Sequence, residues 1–268
     1  MDKIVKLNPF YSEKIWGYEN WSLSTHKNGH STICDEQMTL LDYINKELPI
    51  LIKVIQANDT LSVQVHPDDD FARKYEDDNG KTECWYILEA KDNASLICGI
   101  SDGLNKKSFS KIIEEGNVEK YLKRINVKQG DMIYIPSGTV HAIEGGLKLV
   151  EVQQSSDITY RMYDWGRDRE VHIEKSLEVI DYECKNKGGK IDDFKKLETP
   201  YFTVEKICID NNYKDVVTQD FQSYVVIDGK GSIISDNQEI ELVEEDTIYI
   251  PKGIKYSING DIKLLKVY

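Results

Sequence analysis

An internal repeat restricts the possible folds of this chain more than any other feature of the sequence. Residues 130–138 (GDMIYIPSG) recur as residues 245–253 (EDTIYIPKG), and the same offset of 115 residues carries 147–152 (LKLVEV) onto 262–267 (IKLLKV). Each run is short, rich in β-forming residues and bounded by turn residues. The repeat therefore predicts two related β units in one chain.

Short β-type runs separated by turn residues continue through the first unit, and they predict a β-sandwich or barrel. Helical patterns are confined to a few segments, which are residues 39–46, 67–75 (a turn and then a helix), 108–114, 117–124 and 173–180. The aromatic-rich residues 1–30 are predicted to be irregular. We therefore expect an all-β fold with a few helical insertions.

The polar segment 182–196 contains a Gly-Gly pair and is the best candidate for a linker. This gives a predicted N-terminal domain at residues 1–181, which carries the helical insertion, and a predicted C-terminal domain at residues 197–268.

Composition limits the partners of the protein. The 268 residues carry a net charge of −13, which argues against a nucleic-acid or anionic-membrane surface. The five cysteines are scattered and include no C-x-x-C pair, so they predict neither a disulfide framework nor a thiolate zinc site. With no apolar leader and no long apolar run, the expected location is the cytoplasm. The oligomeric state is not encoded in any pattern that we recognise.

Four residues in the first unit form a candidate metal site. Gln64 and His66 lie two apart in a β-type run, so both side chains face the same way. Glu83 opens a second run, and His141 follows a third after a Ser-Gly turn. Two nitrogen and two oxygen donors suit zinc. Each residue alone is more simply a hydrogen-bonded or solvated side chain, and Gln64 is the weakest ligand because its amide oxygen is neutral.

The second copy of the repeat lacks this donor set. His141 falls on Tyr256 at the offset of 115 residues, and alignment of 86–90 with 225–229 places Glu83 on Gln222. We therefore interpret the second unit as a degenerate copy that keeps the strands without the metal.

These motifs resemble those of type I phosphomannose isomerases, in the short bacterial form of the family. The resemblance rests on four segments in the order of the family, namely Gln64-x-His66-Pro67-Asp68, Lys81-Thr82-Glu83, Pro136-x-Gly138-x-x-His141 and Ser156-Asp157-Ile158-Thr159-Tyr160-Arg161. It implies two cupin (jelly-roll β-barrel) units, of which the first is catalytic and binds one Zn²⁺ per chain. It also implies interconversion of mannose 6-phosphate and fructose 6-phosphate through an enediol(ate).

The resemblance further implies catalytic roles for three residues. Arg161 matches the active-site arginine of the family, although from the sequence alone a surface residue paired with Asp157 or Asp164 is the preferred interpretation. Asp157 matches a carboxylate implicated in ring opening. Lys81 is two residues before Glu83, so on a continuing strand both side chains would point to the same face. A nearby cation would favour the neutral form of Lys81, so it is a candidate for proton transfer.

Three more residues are implied to bind substrate or its phosphate. Lys53 interrupts an apolar run, where it either extends to solvent or meets an anion in a cavity, and the resemblance favours the anion. Ser62 matches a phosphate contact. Arg167 stands where some members of the family carry a lysine.

Two other functions remain open on the sequence. One is a non-catalytic, metal-containing sugar-binding or regulatory cupin, against which the presence of Lys81 and Arg161 together argues. The other is an isomerase of another aldose, since the chain is short. An iron cupin oxygenase is a third interpretation, but such sites usually carry more histidines than these motifs supply.

Overall fold

A computed structural model describes residues 3–236 and 238–268, and β-strands predominate in them. The α-helices of these residues are α1 (Leu40–Ile44), α2 (Asp69–Tyr75), α3 (Lys106–Glu114) and α4 (Ile173–Val179), with a 3₁₀ helix at Val118–Tyr121. The first eleven strands are β1 (Val5–Asn8), β2 (Phe10–Lys14), β3 (Gly17–Leu23), β4 (Thr25–His26), β5 (Gly29–His30), β6 (Thr32–Ile33), β7 (Ile50–Ala57), β8 (Val63–Val65), β9 (Glu83–Ala90), β10 (Ser95–Ile100) and β11 (Leu122–Asn126). The others are β12 (Met132–Ile135), β13 (His141–Ile143), β14 (Leu147–Gln154), β15 (Tyr160–Tyr163), β16 (Gly189–Ile191), β17 (Lys196–Glu198), β18 (Thr203–Val216), β19 (Phe221–Ser235), β20 (Gln238–Leu242), β21 (Thr247–Pro251) and β22 (Lys255–Val267).

The described residues form two compact units that are assembled from separate stretches of the chain. One, which we call the central unit, contains residues 13–19 and 55–192, and the other, the C-terminal unit, contains residues 3–12, 20–54 and 193–268. The predicted division at 182–196 stays a prediction, because a compact unit is not the same as an independently folding domain. Part of that segment forms β16, which pairs with β12.

Two antiparallel sheets build the central unit. One has the strand order β11-β10-β13-β8-β15, and the other contains β16, β12, β9 and β14 side by side. Alternate residues of each strand face opposite sides of the sheet. Leu96 and Ile143 of the first sheet therefore share a buried core with Trp85, Ile133 and Leu149 of the second, so the two sheets pack face to face.

A second core lies on the other face of the five-stranded sheet. Ile97 and Ala142, which are neighbours in sequence of residues in the first core, pack there with Phe109 and Ile112 of α3 and Leu177 of α4. The helices therefore cover the outside of this sheet and leave its inner face to the opposing sheet.

The C-terminal unit contains one sheet in the order β17-β18-β22-β19-β21-β1-β6, with β20 paired to β19. Tyr224, Ile248, Ile258 and Leu264 are among the residues that fill its own apolar core. Mostly β structure with a few helices agrees with the predicted fold class.

The repeat in the sequence corresponds to equivalent strand pairings in the two units. β9 lies between β12 and β14, and β19 lies between β21 and β22. Glu83 pairs with Ile135, and Gln222 pairs with Ile250, which is the counterpart of Ile135 in the repeat. The register therefore agrees with the alignment of Glu83 on Gln222, and we interpret the C-terminal copy as the degenerate one.

Two local predictions were wrong. Residues 1–30 are not irregular in the described part, because they contain β1 to β5. The second insertion helix, predicted at 117–124, is a short 3₁₀ helix followed by the strand β11. β11 forms because it pairs with β10 in an antiparallel register that includes Ser95↔Asn126. By contrast, the helix predicted at 39–46 is present as α1, and it begins directly after Thr39, whose side chain caps it by accepting a hydrogen bond from the Asp42 N–H. No helix of the described residues is long and apolar enough to cross a membrane.

Candidate active site and metal centre

Four strands of the central unit contribute one residue each to a row across the five-stranded sheet. His141 pairs with Cys98 on one side and Gln64 on the other, and Gln64 pairs with Arg161. Directly opposed residues on neighbouring strands project from the same face. Because Ala142 next to His141 points into the outer core, the row points the other way, towards the opposing sheet.

Three of the predicted metal ligands meet around His141, which lies between Cys98 and Gln64 in this row. The Nε2 atom of His66 is 3.6 Å from Oε2 of Glu83, and Nε2 of His141 is 3.3 Å from Oε1 of the same carboxylate. Donor atoms of the three residues all lie within 4.8 Å of one another, and all three side chains are buried. Two imidazoles and a carboxylate that converge out of solvent are a donor set that suits a divalent cation, so the triad can hold a metal ion.

Hydrogen bonding and burial prepare His141 for this role. Its Nδ1 atom donates to the carbonyl oxygen of Thr139 at 2.8 Å, which leaves the lone pair on Nε2. Burial lowers the pKa of His141 to about 4, so the imidazole is neutral near pH 7, as a metal ligand must be. The Trp85 ring packs edge-on against His141 at 5.4 Å and donates its indole N–H to Glu151 at 2.9 Å. Neither Trp85 nor Glu151 was predicted to belong to the site.

Gln64 lies next to the triad. Its Nε2 atom is 3.2 Å from Nε2 of His141, where the amide donates to the imidazole lone pair. A half-turn of the amide brings its oxygen to the same place. Gln64 is thus close enough to the triad for its predicted role, which remains a prediction.

Lys81 also belongs to this buried group. Its Nζ atom lies 3.2 Å from Oε2 of Glu83, and Lys81 is 4 % exposed. It precedes β9 rather than lying in it, so the contact comes from a loop and not from the strand alternation that we expected.

The loop that carries Lys81 is held by its neighbours. Thr82 N–H donates to the side-chain oxygen of Gln154 at 2.9 Å, and the Gln154 amide donates to Asp69 at 2.9 Å. Asp69 also accepts the Gly80 N–H at 2.8 Å. A Cβ atom on Gly80 would lie 2.5 Å from the backbone of residues 68 and 69, so only glycine fits there.

Arg161 and Ser62 are also in the central unit. The Nη1 atom of Arg161 donates to the carbonyl oxygen of Glu170 at 2.6 Å. Burial and then the neighbouring Arg169 lower the pKa of Arg161. Ser62 is buried, two residues before Gln64. Arg161 is therefore close to the metal triad through its pairing with Gln64, and Ser62 is close to it in sequence.

A group of charged residues follows β15, and prediction from the sequence found only part of it. Arg167 lies 3.1 Å from Asp164, and Arg169 binds the same carboxylate through Nε at 2.7 Å and Nη2 at 2.6 Å. Burial opposes ionisation of Asp164, but the hydrogen bonds and charges of the arginines hold its pKa below the usual value. Arg169 was missed, because its role depends on contact with the buried Asp164, which no local pattern in the sequence indicates.

Two predicted residues are placed differently from the others. Asp157 is exposed in the loop before β15 and is not in the metal triad. Lys53 belongs to the C-terminal unit, where it is 3 % exposed and its Nζ lies 5.0 Å from the centre of the Trp21 ring. Burial excludes the alternative that Lys53 extends to solvent, while the functional roles of both residues remain predictions.

Comparisons with known proteins agree with this arrangement. Residues 17–94 match the family model of the phosphomannose isomerase type I catalytic domain, and residues 190–268 match that of the mannose-6-phosphate isomerase cupin domain. The probable mannose-6-phosphate isomerase GmuF of Bacillus subtilis is 35% identical, with 97% of each chain covered. The mannose-6-phosphate isomerase of Streptococcus mutans is 35% identical over 92% of this chain and 87% of its own.

The fold has a close match among solved structures. The crystal structure of mannose 6-phosphate isomerase from Bacillus subtilis superimposes with a TM-score of 0.91 at 29% identity, and the match covers 99% of both chains. Together with the sequence relatives, this match shows that the chain belongs to the type I phosphomannose isomerases of the cupin superfamily.

Proposed function

We propose that this protein interconverts mannose 6-phosphate and fructose 6-phosphate. The observation that supports this most is the buried triad His66, Glu83 and His141 with Lys81 against its carboxylate. A proton shift between neighbouring carbons of an opened sugar needs a cation for the developing oxyanion and a base near it. The triad and Lys81 supply groups of both kinds.

We propose zinc as the cation, one per chain, held by His66, Glu83 and His141 with Gln64 as the fourth candidate ligand. Two imidazoles with two oxygen donors are a set that zinc accepts in four-coordinate sites. When bound, the cation would supply positive charge to stabilise an oxyanion on the substrate.

Lys81 is our candidate for the proton transfer. In the opened mannose form, Lys81 would take the proton from C2 and return it to C1. The hydroxyl proton on O2 passes to O1, so that the aldose becomes the ketose through an enediol(ate) of the sugar. Arg161, in the same row as His141 and Gln64, would hold substrate oxygens by hydrogen bonds and stabilise the negative charge as it develops.

The remaining predicted residues would bind and prepare the substrate. Arg167 and Ser62 are our candidates for the phosphate, to which Lys53 is predicted to contribute. Asp157, exposed in its loop, is predicted to assist ring opening. A phosphate dianion in a protein of net charge −13 needs such local cations.

A coupled assay tests the proposal directly. Fructose 6-phosphate formed from mannose 6-phosphate is measured before chelation, after chelation and after zinc is added back, and bound metal is measured in each sample. We expect turnover to disappear with the metal and to return with zinc. Protein that holds stoichiometric metal and shows no turnover would instead support a sugar-binding cupin, and turnover of a different aldose only would contradict the assigned substrate.

A further inference from the structure

The loop between β15 and α4 contains an ion pair to which the family resemblance gives no role. Asp164 is 4 % exposed and accepts both Nε and Nη2 of Arg169, at 2.7 and 2.6 Å. Two parallel hydrogen bonds between a guanidinium and a carboxylate fix the relative orientation of both groups. The pair is therefore a rigid element within a loop.

Asp164 of this pair also contacts the guanidinium of Arg167 along one edge. Nη2 of Arg167 lies 3.1 Å from Asp164 Oδ1 and donates to the carbonyl oxygen of Thr60 at 2.6 Å. Its Nε donates to the carbonyl oxygen of Asp164 at 3.2 Å. Two of the three nitrogens of Arg167 are thus committed to the protein.

The third nitrogen has a different environment. Nη1 of Arg167 is buried and makes no hydrogen bond to any of the described residues, and Asp59 is 3.8 Å away from it. A buried guanidinium N–H without an acceptor is unfavourable until an acceptor arrives. The geometry thus holds one donor of Arg167 available for an anion.

The backbone of the loop supports the same arrangement. Trp165 has a φ of 56° and Gly166 a φ of 79°, and the indole of Trp165 donates to the carbonyl oxygen of Leu61 at 2.7 Å. A tryptophan rarely adopts a positive φ unless surrounding contacts impose it. Leu61 precedes Ser62, so the loop is fastened beside the other predicted phosphate contact.

We infer that Asp164 and Arg169 are positioning residues that hold Arg167 for the phosphate of the substrate and so make the site selective for phosphorylated over free aldoses. This inference rests on the proposed function. A free sugar has no anion to accept from Nη1, and a site that leaves a buried donor unpaired discriminates against such a ligand.

Arg169→Gln tests the inference. We expect the KM for mannose 6-phosphate to rise on the order of tenfold, because a phosphate contact made equally in the ground state and the transition state is weakened. The reacting groups are intact, so kcat should change by less than about twofold. Arg169→Lys keeps the charge without the paired hydrogen bonds, so its KM should lie between the two. Arg124 lies on β11 and forms an ion pair with Glu144. Arg124→Gln, which loses this ion pair, is the matched control and should behave as the unmodified protein.

An unchanged KM in Arg169→Gln would overturn the inference. If kcat and bound metal are also lost at that unchanged KM, the role of Arg169 is merely structural. If Arg169→Gln does not fold, as judged by thermal unfolding, the KM of Arg169→Lys decides, and a KM equal to that of the unmodified protein would reject the positioning role.

Calorimetric binding separates this inference from the proposed reaction. Inorganic phosphate and mannose are titrated into the metal-loaded protein and into Arg169→Gln. Phosphate binding that weakens on the order of tenfold in the variant, in protein without isomerase activity, would support the positioning role and reject the reaction. Equal phosphate binding by both proteins, together with normal turnover, would reject the positioning role alone.

Discussion

The Nζ atom of Lys81 lies 3.2 Å from the Oε2 atom of Glu83, and neither side chain is accessible to more than a trace of solvent. The same carboxylate faces His66 and His141. Glu83 therefore links the group expected to move a proton to the groups expected to hold a cation. Substitution of Lys81 should therefore affect turnover, whereas substitution of Glu83 should affect metal binding.

Lys81→Met should separate chemistry from metal binding. The variant keeps most of the length of the side chain and loses the ammonium, so we expect kcat to fall by at least about 10²-fold while bound metal stays stoichiometric. Steady-state kinetics and elemental analysis measure the two properties. Lys107→Met, at an exposed position in α3, is the control, and a Lys81→Met protein with normal kcat would remove Lys81 from the mechanism.

Glu83→Gln should act on the metal itself. A neutral amide is a weaker donor than a carboxylate, so metal affinity should fall by about 10-fold or more, measured by competition with a chelator. Activity should recover in part when excess zinc is supplied. Glu89→Gln, on the same strand but with an exposed side chain, should leave affinity unchanged, and equal affinities in the two variants would contradict the metal site.

The stability of chelated protein should fall in acid because of His141. Burial lowers the pKa of this residue from 6.5 to about 4 in the folded protein. Between these values the unfolded chain binds a proton that the folded chain does not, so the free energy of unfolding decreases as the pH falls from 6.5 to 4. The loss from this residue is about 3 kcal/mol. Urea unfolding at several pH values measures it, and chelated His141→Gln should lack that loss.

Gly80→Ala should disturb the loop that carries Lys81. The new Cβ would lie 2.5 Å from the backbone of residues 68 and 69, so the loop must move. We expect a loss of stability of about 1–3 kcal/mol and a lower kcat. Gly103→Ala is a useful comparison, since it adds strain from its φ of 79° but no contact within 4 Å. A Gly80→Ala protein with normal kcat would show that the loop position is not critical.

Tyr256→Phe should destabilise the C-terminal unit. The Tyr256 hydroxyl is 2.7 Å from the hydroxyl of Tyr224 and accepts from the Gln222 amide at 3.0 Å. All three residues are buried, so loss of this hydroxyl leaves polar groups unpaired and should cost about 1–3 kcal/mol. Chemical denaturation measures the change, and Tyr75→Phe, at an exposed residue, should be neutral.

Much of the metal site could be predicted from the sequence because its ligands lie at the ends of strands that the sequence marks clearly. The spacing of Gln64 and His66 and the turn before His141 are local signals. That His141 lies directly opposite Gln64 is a matter of strand register, which depends on residues far apart in the chain. The repeat helped here, because it aligned Glu83 with Gln222.

The wrong predictions share a physical cause, which is that distant partners override local pattern. Residues 5–8 become β1 because Leu7 pairs with Thr247 on one side and with Ile33 on the other. Leu122–Asn126 becomes a strand because β10 offers it an edge. Likewise, nothing local distinguishes Arg169 from a surface arginine until the fold buries Asp164.

Gln222, Tyr224 and Tyr256 form a network of hydroxyl and amide groups. Within this network, Gln222 and Tyr256 occupy the positions that correspond to Glu83 and His141 in the repeat. These side chains hydrogen-bond to one another, so the interior of this unit is filled by groups of the chain and needs no metal ion there. We therefore expect that unit to resist limited proteolysis equally well before and after chelation. A cell short of metal would then hold idle but intact protein, which later metal supply could activate without new synthesis.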